Sequence, residues 1–294
     1  MWIYLNDAFL QPKDALISVF DHGFLYGDGV YETLRSYGSR LFLRDQHLAR
    51  LTRSAEAIGL NLPIPNGGWP ALLHELMARN DLGNDGQDAY IRITVSRGEG
   101  EIGLDPALCP TPTMVIMTKP LTPPARTLYE KGVDLIVAET RRNLPEAISP
   151  RIKATSYLNN ILAKREAIRA GVFDSILLNR DDQLTECTVS NLFFVTGGGL
   201  HTPSPDCGLL DGLTRGLVIQ LAGELGMEVE EGRFTPDRLY RATECFLTNT
   251  SMEIMPVTSV DRNVIGRGIP GPVTRTLQEQ FNASRERFLE PAFP

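Results

Sequence analysis

The sequence predicts an α/β chain, α+β-like in the order of its elements, divided into two domains. Three observations predict it. The chain has 294 residues, more than a single hydrophobic core usually serves. Segments with period-two apolar alternation are interleaved with segments at helical spacing, and neither kind dominates. Near the middle, KPLTPPARTLYEKG from Lys119 to Gly132 holds three prolines, which favour extended backbone and mark a connector. The expected division is a small N-terminal α/β domain over residues 1–118, a linker over 119–132, and a larger C-terminal domain with mostly antiparallel sheet over 133–294.

The elements follow in order. MWIYLND, ALISVFD, GVYETLRSY and RLFLRD read as strands, and HLARLTRSAEAIGL as a helix with Leu48, Leu51, Ala55 and Ile58 at helical spacing. A second helix over Pro70 to Arg79 leads to AYIRITVSRG, a half-buried strand by its alternation, and to the strand TMVIMT. After the seam, VDLIVAE is a strand. The stretch SPRIKATSYLNN reads as the opening of a helix that continues to Ala170. DSILLN, LTECT and NLFFVT are short strands joined by tight turns, NRDDQ being the clearest. LTRGLVIQLAGELG is a helix with a leucine stripe, and FTPDRLYRA a short helix with Thr235 as cap and Pro236 first. ECFLTNT and IMPVTSVD complete the sheet.

Composition excludes several classes. With 29 basic and 36 acidic residues the net charge is −7, which argues against general attraction to nucleic acid or an anionic membrane. No apolar run reaches bilayer length, and the N-terminus, with Asp7 and no basic region, does not read as a signal peptide. The four cysteines and four histidines are scattered, so neither a metal site nor a disulfide framework is expected. A cytoplasmic protein is predicted.

Several residues invite chemistry. Lys153 is one of five lysines beside 24 arginines, the remainder of the 29 basic residues. At a helix N-terminus an ammonium is disfavoured, and a neutral lysine is a nucleophile; alternatively its stem packs while its head reaches water. Before LTRGLVIQLA, Gly212 leaves the backbone N–H groups of Leu213 and Thr214 for an anion, unless Asp211 or Thr214 caps the helix. Asn249, Thr250 and Ser251 follow a strand in a similar way. Arg50, beside Leu48 and Leu51, either pairs with a carboxylate or offers a fork to a phosphate. Glu186 alternates inward, where a carboxylate needs a partner: an arginine, or a protonated ring nitrogen. Tyr26, Tyr31, Tyr90, Arg92 and Tyr157 either line a pocket for a small acid or pack with one wet end.

Together, IKATSYLNNILAKREA, LTECTVSNLFF, DGLTRG, LTNTSMEIMPV and FDHGFLYGDGVYETLR with HLARL resemble, in order, the class IV pyridoxal-phosphate aminotransferases. That family holds branched-chain amino acid aminotransferases, D-amino acid aminotransferases and aminodeoxychorismate lyases. The resemblance implies pyridoxal 5'-phosphate held between two domains of a homodimer, with an amino acid and a keto acid as substrates. It implies that Lys153 binds the cofactor as a Schiff base and moves the proton. Glu186 faces the pyridine nitrogen, Arg50, Leu213, Thr214 and Thr250 hold the phosphate, and Tyr157 lies near the phenolic oxygen. Tyr26, Tyr31, Thr33, Tyr90, Arg92 and Ser251 bound the substrate, with Arg92 a candidate for the distal carboxylate of 2-oxoglutarate. The expected reaction is transamination of branched-chain L-amino acids. VYETLR departs from the VFEGIR usual in that branch, which keeps D-amino acid transamination and the lyase reaction as alternatives. A phosphate-ligand binding module is the non-enzymatic alternative.

Overall fold

The computed structural model describes residues 1–83 and 86–290; the last four residues of the expected second domain lie outside them. The chain forms two compact units. The first comprises residues 1–122, 152–156 and 287 onward; the second comprises 123–151 and 157–286. Relative to the expected division, the first unit takes in two later segments, one of which carries Lys153.

The first unit is built on strands β1 (Ile3–Leu5), β2 (Ala8–Leu10), β3 (Gly29–Tyr37), β4 (Arg40–Phe42), β5 (Ala89–Ser96) and β6 (Thr113–Pro120), with helices α1 (His22–Tyr26), α2 (Arg44–Ala57) and α3 (Gly68–Arg79). The sheet runs β2-β1-β6-β5-β3-β4 and every pairing is antiparallel. Successive β3 side chains alternate between faces. Val30 and Leu34 therefore join Ile91 and Ile93 of β5, Leu51 and Ala55 of α2, and Leu73 and Leu76 of α3 in one core. ALISVFD is not a strand. Its pairing is limited to an isolated bridge between Asp21 and Glu99; it leaves Leu16, Ile17 and Val19 exposed, and ends at Asp21, whose carboxylate caps α1 at the Gly23 N–H (2.7 Å). Local capping chemistry overrides apolar content there. At the other end of the chain, residues 288–290 lie along β4: Phe288 C=O accepts from Leu43 N–H, and the buried Glu290 carboxylate takes the Leu41 N–H and pairs with Arg44 and His74.

The second unit opens with α4 (Arg126–Lys131), a helix inside the stretch expected to be an extended connector. It continues with β7 (Val133–Val137), α5 (Leu158–Ala170), β8 (Asp174–Leu178), β9 (Leu184–Cys187), β10 (Asn191–Thr196), β11 (Gly199–Pro203), α6 (Leu213–Glu224), β12 (Val229–Gly232), α7 (Pro236–Tyr240), β13 (Glu244–Asn249), β14 (Glu253–Val260), β15 (Asn263–Val264) and α8 (Pro272–Ser284). The sheet order is β12-β11-β10-β13-β14-β7-β8-β9, and β9 pairs back onto β10, so strands β10 to β9 close on themselves. Most pairings are antiparallel; β7 runs parallel to β14 and β8, and β11 to β12. The NRDDQ turn joins β8 to β9, with the Asn179 side chain accepting from the Asp181 and Gln183 N–H groups (3.0 Å each) and Asp182 at φ 58°. Pro236 opens α7, though Thr235 makes no side-chain cap there.

Candidate active site

Lys153 does not open a helix. α5 begins at Leu158, and residues 152–156 lie extended against β3 instead. The Tyr31 N–H donates to the Lys153 carbonyl (2.9 Å), the Thr155 N–H to the Gly29 carbonyl (2.9 Å), and the Lys153 N–H to Ser54 Oγ on α2 (3.2 Å). A backbone committed to a neighbouring strand has no groups left for a helical turn. Gly29 makes the approach possible, because a Cβ there would meet the Val95 carbonyl at 2.8 Å and Thr155 Oγ1 at 3.2 Å. The helix-dipole argument for an unusual lysine therefore does not hold. Lys153 is placed by β3 and α2, with Nζ 4.5 Å from the centre of the Tyr31 ring.

Tyr31 also carries the Arg92 guanidinium, its Cζ 3.9 Å from the ring centre. Two cations thus share one aromatic ring, an attractive arrangement through the ring quadrupole. On the same strands Thr33 Oγ1 and the Tyr90 hydroxyl lie 3.4 Å apart. Tyr31, Thr33, Tyr90, Arg92 and Lys153 therefore form one group on the β3–β5 ladder. Tyr26 lies elsewhere, exposed on α1, its hydroxyl accepting from the Gly103 N–H (3.2 Å).

Arg50 donates from Nε and Nη2 to the two oxygens of Glu32, at 2.6 and 3.0 Å. His47, one turn earlier on α2, meets Glu32 Oε2 through Nδ1 at 2.8 Å. The sequence reading overlooked both Glu32 and His47. The signals were there: Glu32 falls between Val30 and Leu34 in the alternation of β3, and His47, Arg50 and Ser54 repeat at helical spacing. Burial raises the Glu32 pKa, but Arg50 and His47 outweigh it and hold the carboxyl far below its usual range. Burial lowers His47 despite the pull of Glu32, so the imidazole is neutral. With Nδ1–H on the carboxylate, the buried Nε2 is an acceptor that has no partner among the described residues.

In the second unit Glu186 is 5% exposed on β9. Its Oε1 pairs with Arg142 Nε (2.8 Å) and its Oε2 accepts from the Leu210 N–H (3.1 Å). Arg142, from the loop after β7, also reaches Asn159 Oδ1 (3.3 Å) and was another residue missed, since no periodicity marks it. Neither Asp211 nor Thr214 caps α6: Gly212 stands at the cap with no side-chain bond, so the first turn keeps N–H groups for an anion. After β13, Asn249 Oδ1 accepts from the Ser251 and Met252 N–H groups (2.9 and 2.8 Å). The Ser251 backbone is thus already engaged, and Thr250 stands at the tip of the turn. Tyr157 is half-buried immediately before α5.

A model of the amino-transferase class IV family matches residues 29–260. The chain belongs to that family. It is 40% identical over 288 residues to a Methanocaldococcus jannaschii protein named "Putative branched-chain-amino-acid aminotransferase", covering 98% of both chains. It is 36% identical to the aminodeoxychorismate lyase of Bacillus subtilis, covering 94% of this chain and 92% of that protein, and 34% identical to the D-alanine aminotransferase of Bacillus licheniformis, covering 97% of each. The crystal structure of the Escherichia coli branched-chain amino acid aminotransferase superposes with a TM-score of 0.90 at 31% identity, over 99% of this chain and 98% of that one. Among the described residues no helix is long and apolar enough to cross a membrane.

Proposed function

We propose that this class IV aminotransferase uses pyridoxal 5'-phosphate to transfer the amino group of branched-chain L-amino acids to 2-oxoglutarate. The observation that carries the reading is the agreement of sequence and fold: full-length likeness to branched-chain enzymes in both. The residues present suit the cofactor. A pyridine nitrogen that must stay protonated needs a buried carboxylate, and Glu186 offers one, paired with Arg142 and a backbone N–H. A phosphate needs directed donors. The uncapped first turn of α6 at Leu213 and Thr214 supplies them, as does Thr250 at its turn, and the planar Arg50 guanidinium has the fork geometry that suits a phosphate.

When bound, pyridoxal phosphate supplies a carbonyl that condenses with amines and a ring that accepts the electron pair left at the α-carbon. The chain's own residues do the rest. Lys153 Nζ would hold the cofactor. Lys153 then removes the α-proton and returns it one position away, so a single positioned amine moves the proton both ways. Glu186 keeps the ring-nitrogen proton in place. Tyr157 stands by the phenolic oxygen. Arg92, on the β3–β5 ladder with Tyr31 and Tyr90, receives the distal carboxylate of the keto acid acceptor.

The lyase reaction is the second reading, favoured by the ETLR stretch and by the 36% identity to a lyase. The test is to follow cofactor absorbance with L-leucine, L-valine, D-alanine and aminodeoxychorismate offered separately. L-leucine or L-valine should convert it fastest, with 2-oxoglutarate reversing the change. Faster conversion by D-alanine, or pyruvate released from aminodeoxychorismate with higher efficiency than any transamination, overturns the assignment. We also propose a homodimer, supported by the exposed apolar side chains of Leu16, Ile17, Val19, Phe20 and Phe24. Analytical ultracentrifugation tests it.

A further inference from the structure

Glu32 occupies a place where chemistry argues against a carboxylate. It is fully buried on the core face of β3, between Val30 and Leu34, which are equally inaccessible. Removing two charges from water costs several kcal/mol each, and apolar residues of similar size commonly do as well or better for stability. An acid at this position is therefore poorly explained by stability alone. Its geometry suggests another use. Both oxygens meet Arg50, one at Nε and one at Nη2, the side-on fork that fixes the plane of a guanidinium as well as its position. Oε2 also accepts from His47 Nδ1 and from the Thr33 N–H (3.1 Å). The carboxylate is thus held from the helix and from its own strand, and cannot turn without breaking one of these bonds.

We propose that Glu32 and His47 are positioning residues for the cofactor phosphate: Glu32 sets the plane of the Arg50 fork, and His47 pins Glu32. The proposal rests on the reading that Arg50 meets the phosphate. Glu32 works at a cost in charge. One negative and one positive group with a neutral imidazole carry no net charge, so Arg50 recognises phosphate by the direction of its N–H groups more than by long-range attraction. The two effects have opposite signs when Glu32 is neutralised. If orientation dominates, Glu32→Gln weakens phosphate binding although the pocket becomes more positive. If attraction dominates, the same change strengthens it.

The experiment uses the holoenzyme stripped of cofactor and titrated with pyridoxal 5'-phosphate by absorbance, and with inorganic phosphate by competition. Groups that orient a binding side chain typically matter by 10–100-fold, so Glu32→Gln should raise both dissociation constants by about tenfold or more. His47→Phe, which removes the Nδ1 donor, should raise them severalfold. His47→Asn, whose amide places an N–H near the same point, should restore most of the affinity. Circular dichroism checks that each variant is folded, and the His47 pair keeps the question open to refutation if Glu32→Gln is not. Phosphate binding by Glu32→Gln as tight as wild type, or tighter, overturns the positioning role, as does equal affinity in the two His47 variants. Arg50→Lys separates this from the underlying reading. It keeps the charge and loses the fork, so unchanged phosphate affinity in that variant means that Arg50 does not meet the phosphate at all.

Discussion

In each unit a buried glutamate pairs with a buried arginine, Glu32 with Arg50 and Glu186 with Arg142, and in the proposed site the two pairs are used in opposite directions. In the first unit Glu32 lies at the back, fully enclosed, and the arginine it holds is the group read as facing the cofactor. In the second unit Arg142 and Glu186 are both buried, and the carboxylate, Glu186, is the group read as facing the cofactor. The same ion pair thus presents a donor in one case and an acceptor in the other. What differs is the supporting cast. Glu32 has a neutral imidazole beside it, which adds a hydrogen bond without adding charge. Glu186 has a backbone N–H, which does the same. A buried pair is poor evidence for stability, and this contrast shows what else it can do: it lets a charged side chain be aimed.

The largest expected effect removes the amine of Lys153, read as the anchor of the cofactor. Lys153→Ala should abolish measurable transamination while phosphate affinity survives. Borohydride reduction and peptide mapping of the wild type should find cofactor on Lys153; label on Lys13, Lys119, Lys131 or Lys164 would refute the assignment. Next comes the acceptor. Glu186→Gln keeps shape and loses the charge, and turnover should fall on the order of a hundredfold with cofactor still bound. Near-normal turnover would reduce Glu186 to a structural partner of Arg142 and erase the contrast with Glu32.

A smaller effect concerns pH. His47 is faced by Glu32, Arg50 and Lys153, and its folded pKa lies below the ordinary 6.5. The unfolded chain therefore takes up a proton first as pH falls. The stability that His47 contributes is complete above 6.5 and is lost progressively below it. Denaturant midpoints at pH 7.5 and 5.5 should converge for wild type and His47→Asn if this holds, and a constant gap would contradict it. Smallest is Thr33→Val, which deletes the hydroxyl 3.4 Å from Tyr90. One neutral hydrogen bond nets about 1 kcal/mol, so relative turnover of L-leucine and L-valine should shift by no more than about fivefold. A larger change would make Thr33 a direct determinant of specificity.

The parts of this fold that were legible in the sequence are those with a period. AYIRITVSRG and TMVIMT declare β5 and β6 by alternation, HLARLTRSAEAI declares α2 by its spacing, and NRDDQ gives the β8–β9 turn by its side-chain chemistry. What failed was decided by partners distant in sequence. The segment around Lys153 has helical content nearby, yet β3 claims its backbone, more than 120 residues away along the chain. ALISVFD has the composition of a strand, yet it makes only an isolated bridge, Asp21 to Glu99. α1 and α8 went unread, the first because five residues are too few for a periodic signal. Among the candidate site residues, Lys153, Arg50 and Glu186 were legible because a scarce or misplaced charge stands out in the sequence. Glu32 and His47 needed only the alternation to be followed through, whereas Arg142 comes from an irregular loop and could be found only in three dimensions.

The first unit is assembled from three separate stretches of chain, the last of which carries Glu290. This sets an order on biosynthesis. A ribosome adds roughly 5–20 residues each second, so β4 must wait for the 249 residues that separate Leu41 from Glu290 before that carboxylate arrives. The segment bearing Lys153 reaches β3 earlier, but only after the connector and α4 have emerged. The second unit is nearly continuous and can begin to fold while the first is still incomplete. Strand β4 is therefore translated long before it is finished, and a nascent chain interrupted before Glu290 would carry Lys153 on an unfinished scaffold.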